Sequence, residues 1–206
     1  MILLDKDQVE TMTSPERIAG LHLALKSVHE NKISGDFVEC GVWKGGNVVI
    51  AKQFFDSVED IRNFFCYDTF EGMTEPGEFD GGKAHRNWQD KAKCEAGLDE
   101  VINTFKHHNL LDDRIKFIKG DVRKTLLDKN NLPDSISVLR LDTDFYDSTL
   151  IELELLYPRL TAGGYLIVDD YGHWQGSRRA VNEYFGEEFV RTNFKKLDYT
   201  GIMLQK

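Results

Sequence analysis

The 206-residue chain is short of several things, and each shortage narrows what it can be. No apolar run approaches the ~20 residues that a membrane-spanning helix requires, so membrane insertion is not expected. The opening Met-Ile-Leu-Leu-Asp-Lys-Asp lacks the basic region and long apolar stretch of a signal peptide, which makes a cytoplasmic protein the expectation. Cysteines number 3, too few and odd for a disulfide framework. Cys40 and Cys66 fall in apolar, strand-like runs where a free thiol behaves as a small hydrophobe, and together with Cys94 they read as reduced. Positive charge is scarce: Lys+Arg 26 against Asp+Glu 35 gives a net charge of −9, which disfavours nucleic acid and anionic membrane surfaces as partners. Repeats, low-complexity tracts and linkers are absent, and at roughly 100–200 residues per domain a single domain over 1–206 is expected.

What is present is a core and a pattern. Hydrophobic residues make up 41% and aromatics 11%, enough apolar material for a packed interior. Ser14-Pro15-Glu16-Arg17 places an N-cap serine and a proline at the first helical position, so a helix is predicted within an N-terminal extension over 1–34. Short apolar strands are then predicted over 36–40, 63–67, 114–118, 136–141 and 165–168, alternating with helical segments such as Val48 to Phe55, Asp147 to Leu160 and Ser177 to Phe185. That alternation implies an α/β fold, a doubly wound, mostly parallel sheet covered on both faces. Phe194 to Asp198 and Thr200 to Gln205 are too close for a crossover helix, so at least one final strand should be antiparallel. The long connection over 74–97, with Gly77, Gly81, Gly82, His85 and Trp88, reads as a lid loop.

Each predicted strand ends beside an acid, and in open α/β sheets ligands bind beyond the carboxyl ends of the strands. Glu39-Cys40-Gly41-Val42-Trp43-Lys44-Gly45-Gly46 joins a strand to a helix through glycines that permit tight turns and close approach to a ligand. The spacing is not Gly-x-Gly-x-x-Gly, which argues against a dinucleotide pyrophosphate and a nucleotide-dependent oxidoreductase. Asp68 stands where an acid accepts hydrogen bonds from two ribose hydroxyls, and Asp121 where one can accept from an adenine amino group. Together they describe an adenosine pocket without a phosphate cradle, which S-adenosylmethionine fits. Asp142, Asp144, Asp169 and Asp170 end two strands expected to be neighbours, and four such carboxylates call for protonation or a hard divalent cation such as Mg²⁺. Asp144 is the candidate general base. His173 and Trp174 are candidates for lining an acceptor pocket.

These residues resemble the macrocin O-methyltransferase (TylF-like) family. The resemblance runs through Met12-Thr13-Ser14-Pro15-Glu16-Arg17, Glu39-Cys40-Gly41-Val42-Trp43-Lys44-Gly45-Gly46, Tyr67-Asp68-Thr69-Phe70-Glu71-Gly72-Met73, Lys119-Gly120-Asp121, Leu141-Asp142-Thr143-Asp144-Phe145-Tyr146-Asp147 and Ile167-Val168-Asp169-Asp170-Tyr171-Gly172. It implies a class I methyltransferase fold with a seven-stranded Rossmann-like sheet, and a Mg²⁺-dependent O-methyltransferase that takes S-adenosylmethionine as cofactor. The implied acceptor is a sugar hydroxyl of a glycoside, nucleotide sugar, surface polysaccharide or natural product; a catechol-like diol and a non-catalytic nucleoside- or metal-binding module are the alternatives. It implies metal ligands at Asp142, Asp169 and Asp170 and a base at Asp144. The cofactor would contact Glu39, Gly41, Val42, Gly45, Gly46 and Asn47 around its methionine part, Asp68, Thr69 and Phe70 at the ribose, and Gly120, Asp121 and Val122 at the adenine. Where the family usually carries Ser or Thr after Gly-Gly, this chain has Asn47. A homo-oligomer is also implied.

Overall fold

The computed structural model describes residues 8–89 and 94–206; residues 1–7 of the expected N-terminal extension and 90–93 of the expected lid lie outside them. Helix α1 (Pro15–Glu30) starts as its sequence predicts, with the Ser14 hydroxyl accepting from Arg17 N and Pro15 in the first turn. Its apolar face, Ile18, Leu21, Ala24, Leu25 and Val28, is buried. The chain then runs β1 (Asp36–Cys40), α2 (Gly46–Ser57), β2 (Phe64–Asp68), α3 (Gly81–Gln89), α4 (Leu98–His107), β3 (Ile115–Lys119), α5 (Val122–Thr125) and β4 (Ile136–Leu141). It closes with α6 (Tyr146–Leu155), β5 (Leu160–Val168), α7 (Gln175–Phe185), α8 (Glu187–Asn193), β6 (Lys195–Lys196) and β7 (Ile202–Gln205).

The seven strands form one sheet in the order β3-β2-β1-β4-β5-β7-β6. The first five are parallel, and β7 runs antiparallel to both β5 and β6. Strand order reverses between β1 and β4, so a crevice opens at the carboxyl ends of these two strands. Both faces are covered. One core joins α1, α2 and α4 to the sheet through Leu25, Phe54 and Phe105; the other joins α6, α7 and α8 through Leu153, Val181 and Val190. All six residues of β4 are buried, as a central parallel strand requires.

Two local expectations are corrected. The helix predicted to reach Leu160 stops at Leu155, because Pro158 supplies no N–H and a 3-10 turn over Tyr157–Arg159 follows; β5 therefore begins at Leu160 rather than Tyr165. The predicted lid loop carries a 3-10 turn (Glu78–Asp80) and α3. Among the described residues no helix is long and apolar enough to cross a membrane.

The hairpin between β6 and β7 is tied to the start of α1 by Asp198. Its Oδ1 accepts from Thr200 N (2.8 Å) and Gly201 N (2.7 Å), and its Oδ2 accepts from Ser14 Oγ (2.7 Å) and Arg17 Nε (2.9 Å). Burial alone would raise this carboxyl, but the four donors hold it at about 2, below its ordinary 3.8. A depressed native value stabilises the fold above the ordinary value and is lost as pH falls through the native one, here about 2 kcal/mol. Denaturant midpoints of wild type and Asp198→Asn should therefore converge as pH falls from about 4 to about 2; a gap constant over that range would contradict the assignment.

Candidate functional site

A cavity of about 560 Å³ opens at the reversal point. Its walls come from the loops after β1, β2, β3, β4 and β5 and from the segment before α1, so the acids at the strand ends converge as their positions predict.

One half is built around the glycine loop. Gly41 has φ +79, and a Cβ there would lie 1.9 Å from the Asp142 carbonyl oxygen, so only glycine lets the loop pass the end of β4. A Cβ on Gly46 would lie 2.3 Å from the Glu10 carbonyl oxygen, because the segment before α1 crosses the start of α2. Asp68 fastens this loop to the end of β2: its Oδ2 accepts from Val42 N (2.8 Å) and Trp43 N (3.0 Å), and its Oδ1 accepts from Phe70 N (2.8 Å). Burial raises the Asp68 carboxyl, and these backbone donors oppose the rise. Asp68 is thus an organiser of the loop as well as a wall of the cavity, together with Thr69, Gly41, Val42, Gly46 and Asn47.

Gly120, Asp121 and Val122 complete this half. Asp121 caps α5 and is held by Arg123, whose Nε and Nη2 approach its oxygens at 2.9 and 2.7 Å. Burial would raise its pKa, but Arg123 takes it below the ordinary carboxylate value. An adenine amino group would therefore share an acceptor already engaged by a guanidinium.

Glu39, Gly45 and Phe70 do not form the cavity wall. Gly45 packs toward Phe105 and Val101, and Phe70 stacks edge-on against Phe117. Glu39 is 1% exposed, behind Asn47. Asn47 donates from Nδ2 to Thr13 Oγ1 (3.0 Å) and Glu39 Oε1 (3.2 Å), and its Oδ1 accepts from Thr11 Oγ1 (3.3 Å). The amide in place of a hydroxyl therefore pins residues 11–13 across the loop. Among the described residues, Glu39 Oε2 is buried without a hydrogen-bond partner. Burial, foremost, and Asp142 raise Glu39 to about 7 against the pull of Arg140.

The other half holds the aspartates. Carboxylate oxygens of Asp142, Asp144 and Asp170 lie within 4.8 Å of one another. Asp144 sits at φ +66, with its N–H donating to Asp170 Oδ2 (3.1 Å). Burial and then the neighbouring Asp142 raise Asp144 to about 7; hydrogen bonds from Asp170 and the Trp174 side chain restrain the rise. Burial, and then the neighbouring Asp144, Asp142 and Asp169, push Asp170 well above the ordinary carboxylate range. Asp169 faces the other way. Its oxygens pair with Arg140 and Arg17, and burial still raises it to about 6.

Arg140, which holds three acids of the site together, was not singled out from the sequence. It is 1% exposed on β4 and reaches Glu39 Oε1 (2.5 Å), Asp142 Oδ2 (2.8 Å), Thr13 Oγ1 (3.0 Å) and Asp169. A charged residue inside the apolar run Val138-Leu139-Arg140-Leu141 was its signal. Arg17, on α1, links Asp169 to Asp198 and lines the cavity.

His173 and Trp174 do line the cavity, as do Met73 and Tyr199. Trp174 meets Phe145 edge-on at 6.1 Å and His173 at 4.8 Å, forming an aromatic wall beside Asp144. Lys83 Nζ approaches His173 Nε2 at 3.0 Å; burial first, and Lys83 next, lower this histidine's pKa. His85 and Trp88 brace their own segment, through Gly77 O and Met73 O. Asp80 docks that segment on α6, accepting from Tyr146 N at 2.7 Å.

The family profile described as Macrocin-O-methyltransferase (TylF) matches residues 5–206. Demethyldecarbamoylnovobiocin O-methyltransferase of Streptomyces niveus is 30% identical over 201 residues, covering 95% of this chain and 75% of its own. The 8-demethyl-8-(2,3-dimethoxy-alpha-L-rhamnosyl)-tetracenomycin-C 4'-O-methyltransferase of Streptomyces olivaceus is 32% identical over 195 residues, covering 93% and 74%. Among solved structures, the O-methyltransferase NovP superposes with a TM-score of 0.86 at 29% identity, over 95% of this chain and 81% of its own.

Proposed function

Because the chain belongs to the macrocin O-methyltransferase family and is an O-methyltransferase, we propose that it transfers the methyl group of S-adenosylmethionine to a sugar hydroxyl, with a hard divalent cation such as Mg²⁺ at the aspartates. The observation that carries this reading is the joining of two half-sites in one cavity: the Asp68-fastened glycine loop and the Asp142, Asp144, Asp170 cluster. The relative named for a rhamnosyl-bearing substrate supports a sugar as acceptor.

Two features of the chain fit the proposed groups. Asp68 lines the cavity beside the glycine loop as a carboxylate able to accept from hydroxyls there. The aspartate cluster offers oxygen donors only and is short of positive charge, which suits a hard cation. Asp142, Asp169 and Asp170 are proposed as its ligands. A bound divalent cation lowers the pKa of a coordinated hydroxyl. Asp144, a carboxylate lining the cavity beside the cluster, would accept the hydroxyl proton as general base. The wall of Phe145, Trp174 and His173 keeps water from one side of that oxygen and orients the sugar. The close grouping of Asp144 with Asp142 and Asp170 favours a second assignment, Asp144 as ligand in place of Asp169.

Calorimetric titration with S-adenosylhomocysteine tests the cofactor half. The wild type should bind it and not NAD, and Asp68→Asn should weaken binding by about 10- to 100-fold, the loss of a hydrogen bond to a charged group. Absence of binding by the wild type, or unchanged affinity in the variant, would contradict the proposal.

A further inference from the structure

Glu152, on α6, is wholly buried behind the cavity, between the two half-sites. Its Oε1 and Oε2 lie 2.9 and 3.1 Å from a single atom, Thr143 Oγ1. It also shares a hydrogen bond with the Cys40 thiol. The hydroxyl thus faces both oxygens at once, a three-centre contact that fixes the Thr143 side chain on the carboxyl. Burial, the dominant influence, raises Glu152 well above the ordinary carboxylate range, and its hydrogen bonds with Thr143 and Cys40 oppose the rise.

The two partners of Glu152 sit at the roots of the two half-sites. Thr143 stands between Asp142 and Asp144, and Asp144 has the left-handed backbone that persists only where its surroundings fix it. Cys40 immediately precedes Gly41, and its carbonyl accepts from Asp142 N at 2.9 Å. We propose that Glu152 is a positioning residue for methyl transfer: through Thr143 it sets the turn that carries Asp142 and Asp144, and through Cys40 it ties that turn to the glycine loop. The proposal rests on the methyltransferase reading of the cavity. The task needs a polar side chain that bonds Thr143 and Cys40 together, which does not depend on its carrying a negative charge beside the aspartates. A glutamine would do the same, whereas a leucine would fill the space and bond neither.

The test uses the full chain as wild type, Glu152→Gln, Glu152→Leu, Thr143→Val and the Leu/Val double variant. Mn²⁺ affinity is read by electron paramagnetic resonance, S-adenosylhomocysteine affinity by calorimetry, and kcat and KM are measured separately. Glu152→Gln should stay within about threefold of wild type in every readout. Glu152→Leu should lose about 10- to 100-fold in kcat and about tenfold in Mn²⁺ affinity, the range for residues that orient metal ligands, with the KM for cofactor nearly unchanged. Thr143→Val should reproduce these losses, and the double variant should be no worse than either single one. A Gln variant as damaged as the Leu variant, or a Leu variant like wild type, would overturn the proposal. If Glu152→Leu fails to fold, a Thr143→Val variant with wild-type values overturns it instead. A wild type without methyl transfer would refute the functional reading, and the Mn²⁺ affinities would still decide the positioning role.

Discussion

Replacing Asp144 by asparagine should lower kcat by about 10²- to 10⁴-fold, the usual contribution of a positioned base, with S-adenosylhomocysteine affinity within about threefold of wild type. The amide side chain keeps the size, and the backbone N–H at this position still donates to Asp170, so the turn survives and only the proton acceptor is lost. The split between turnover and cofactor binding is the informative part, because Asp144 belongs to the aspartate half of the cavity and Asp68 to the other. Mn²⁺ affinity then separates the two assignments of the cluster. With Asp144 as base, Asp144→Asn retains the metal and Asp169→Asn weakens it; with Asp144 as ligand, the order reverses. Unchanged turnover in Asp144→Asn would remove it from both roles.

The second large effect is on stability. Arg140→Met should cost about 3–5 kcal/mol, the range for removing one partner of a buried ion pair. One guanidinium serves Glu39, Asp142 and Asp169, and these carboxylates hold its charge in place against burial. Methionine fills much of the volume but leaves Glu39 and Asp169, 1% and 3% exposed, with unbalanced charge. For a chain of this length, a loss of that size corresponds to a fall in Tm of roughly 6–20 °C. Adding Glu39→Gln should restore part of the loss, since the neutral amide no longer needs the cation. Thermal melts of the two single variants and the double one check both statements, and a Tm for Arg140→Met within about 2 °C of wild type would contradict them.

The fold was legible because each parallel strand is a short apolar run closed by an acid, and because the two final strands are too close for a helix to lie between them. The same spacing placed Asp68, Asp121 and the four later aspartates at one edge. What stayed hidden depends on partners distant in sequence. Asp169 and Asp170 are adjacent letters just past the end of β5, where one turns to Arg140 and Arg17 and the other to Asp144. Glu39 and Arg140 become neighbours only through the register of β1 on β4. Asp121 reads as a free acceptor until Arg123, two residues on, is seen to fold back over it. Glu152 gives no signal of its own, because Glu154, two residues on in the same apolar run, is written alike and is exposed.

The most direct measurement of the central claim, that the two half-sites work as one metal-assisted methyl-transfer centre, is incorporation of labelled methyl from S-adenosylmethionine into a panel of rhamnosides and other glycosides, with Mg²⁺ and with a chelator. The account predicts label on a sugar oxygen in the presence of Mg²⁺ and a rate at least about 100-fold lower in the chelator, the scale of effect expected when a Lewis acid that activates the hydroxyl is withdrawn. Equal rates with Mg²⁺ and chelator, or no labelled sugar from a protein that binds S-adenosylhomocysteine, would contradict it.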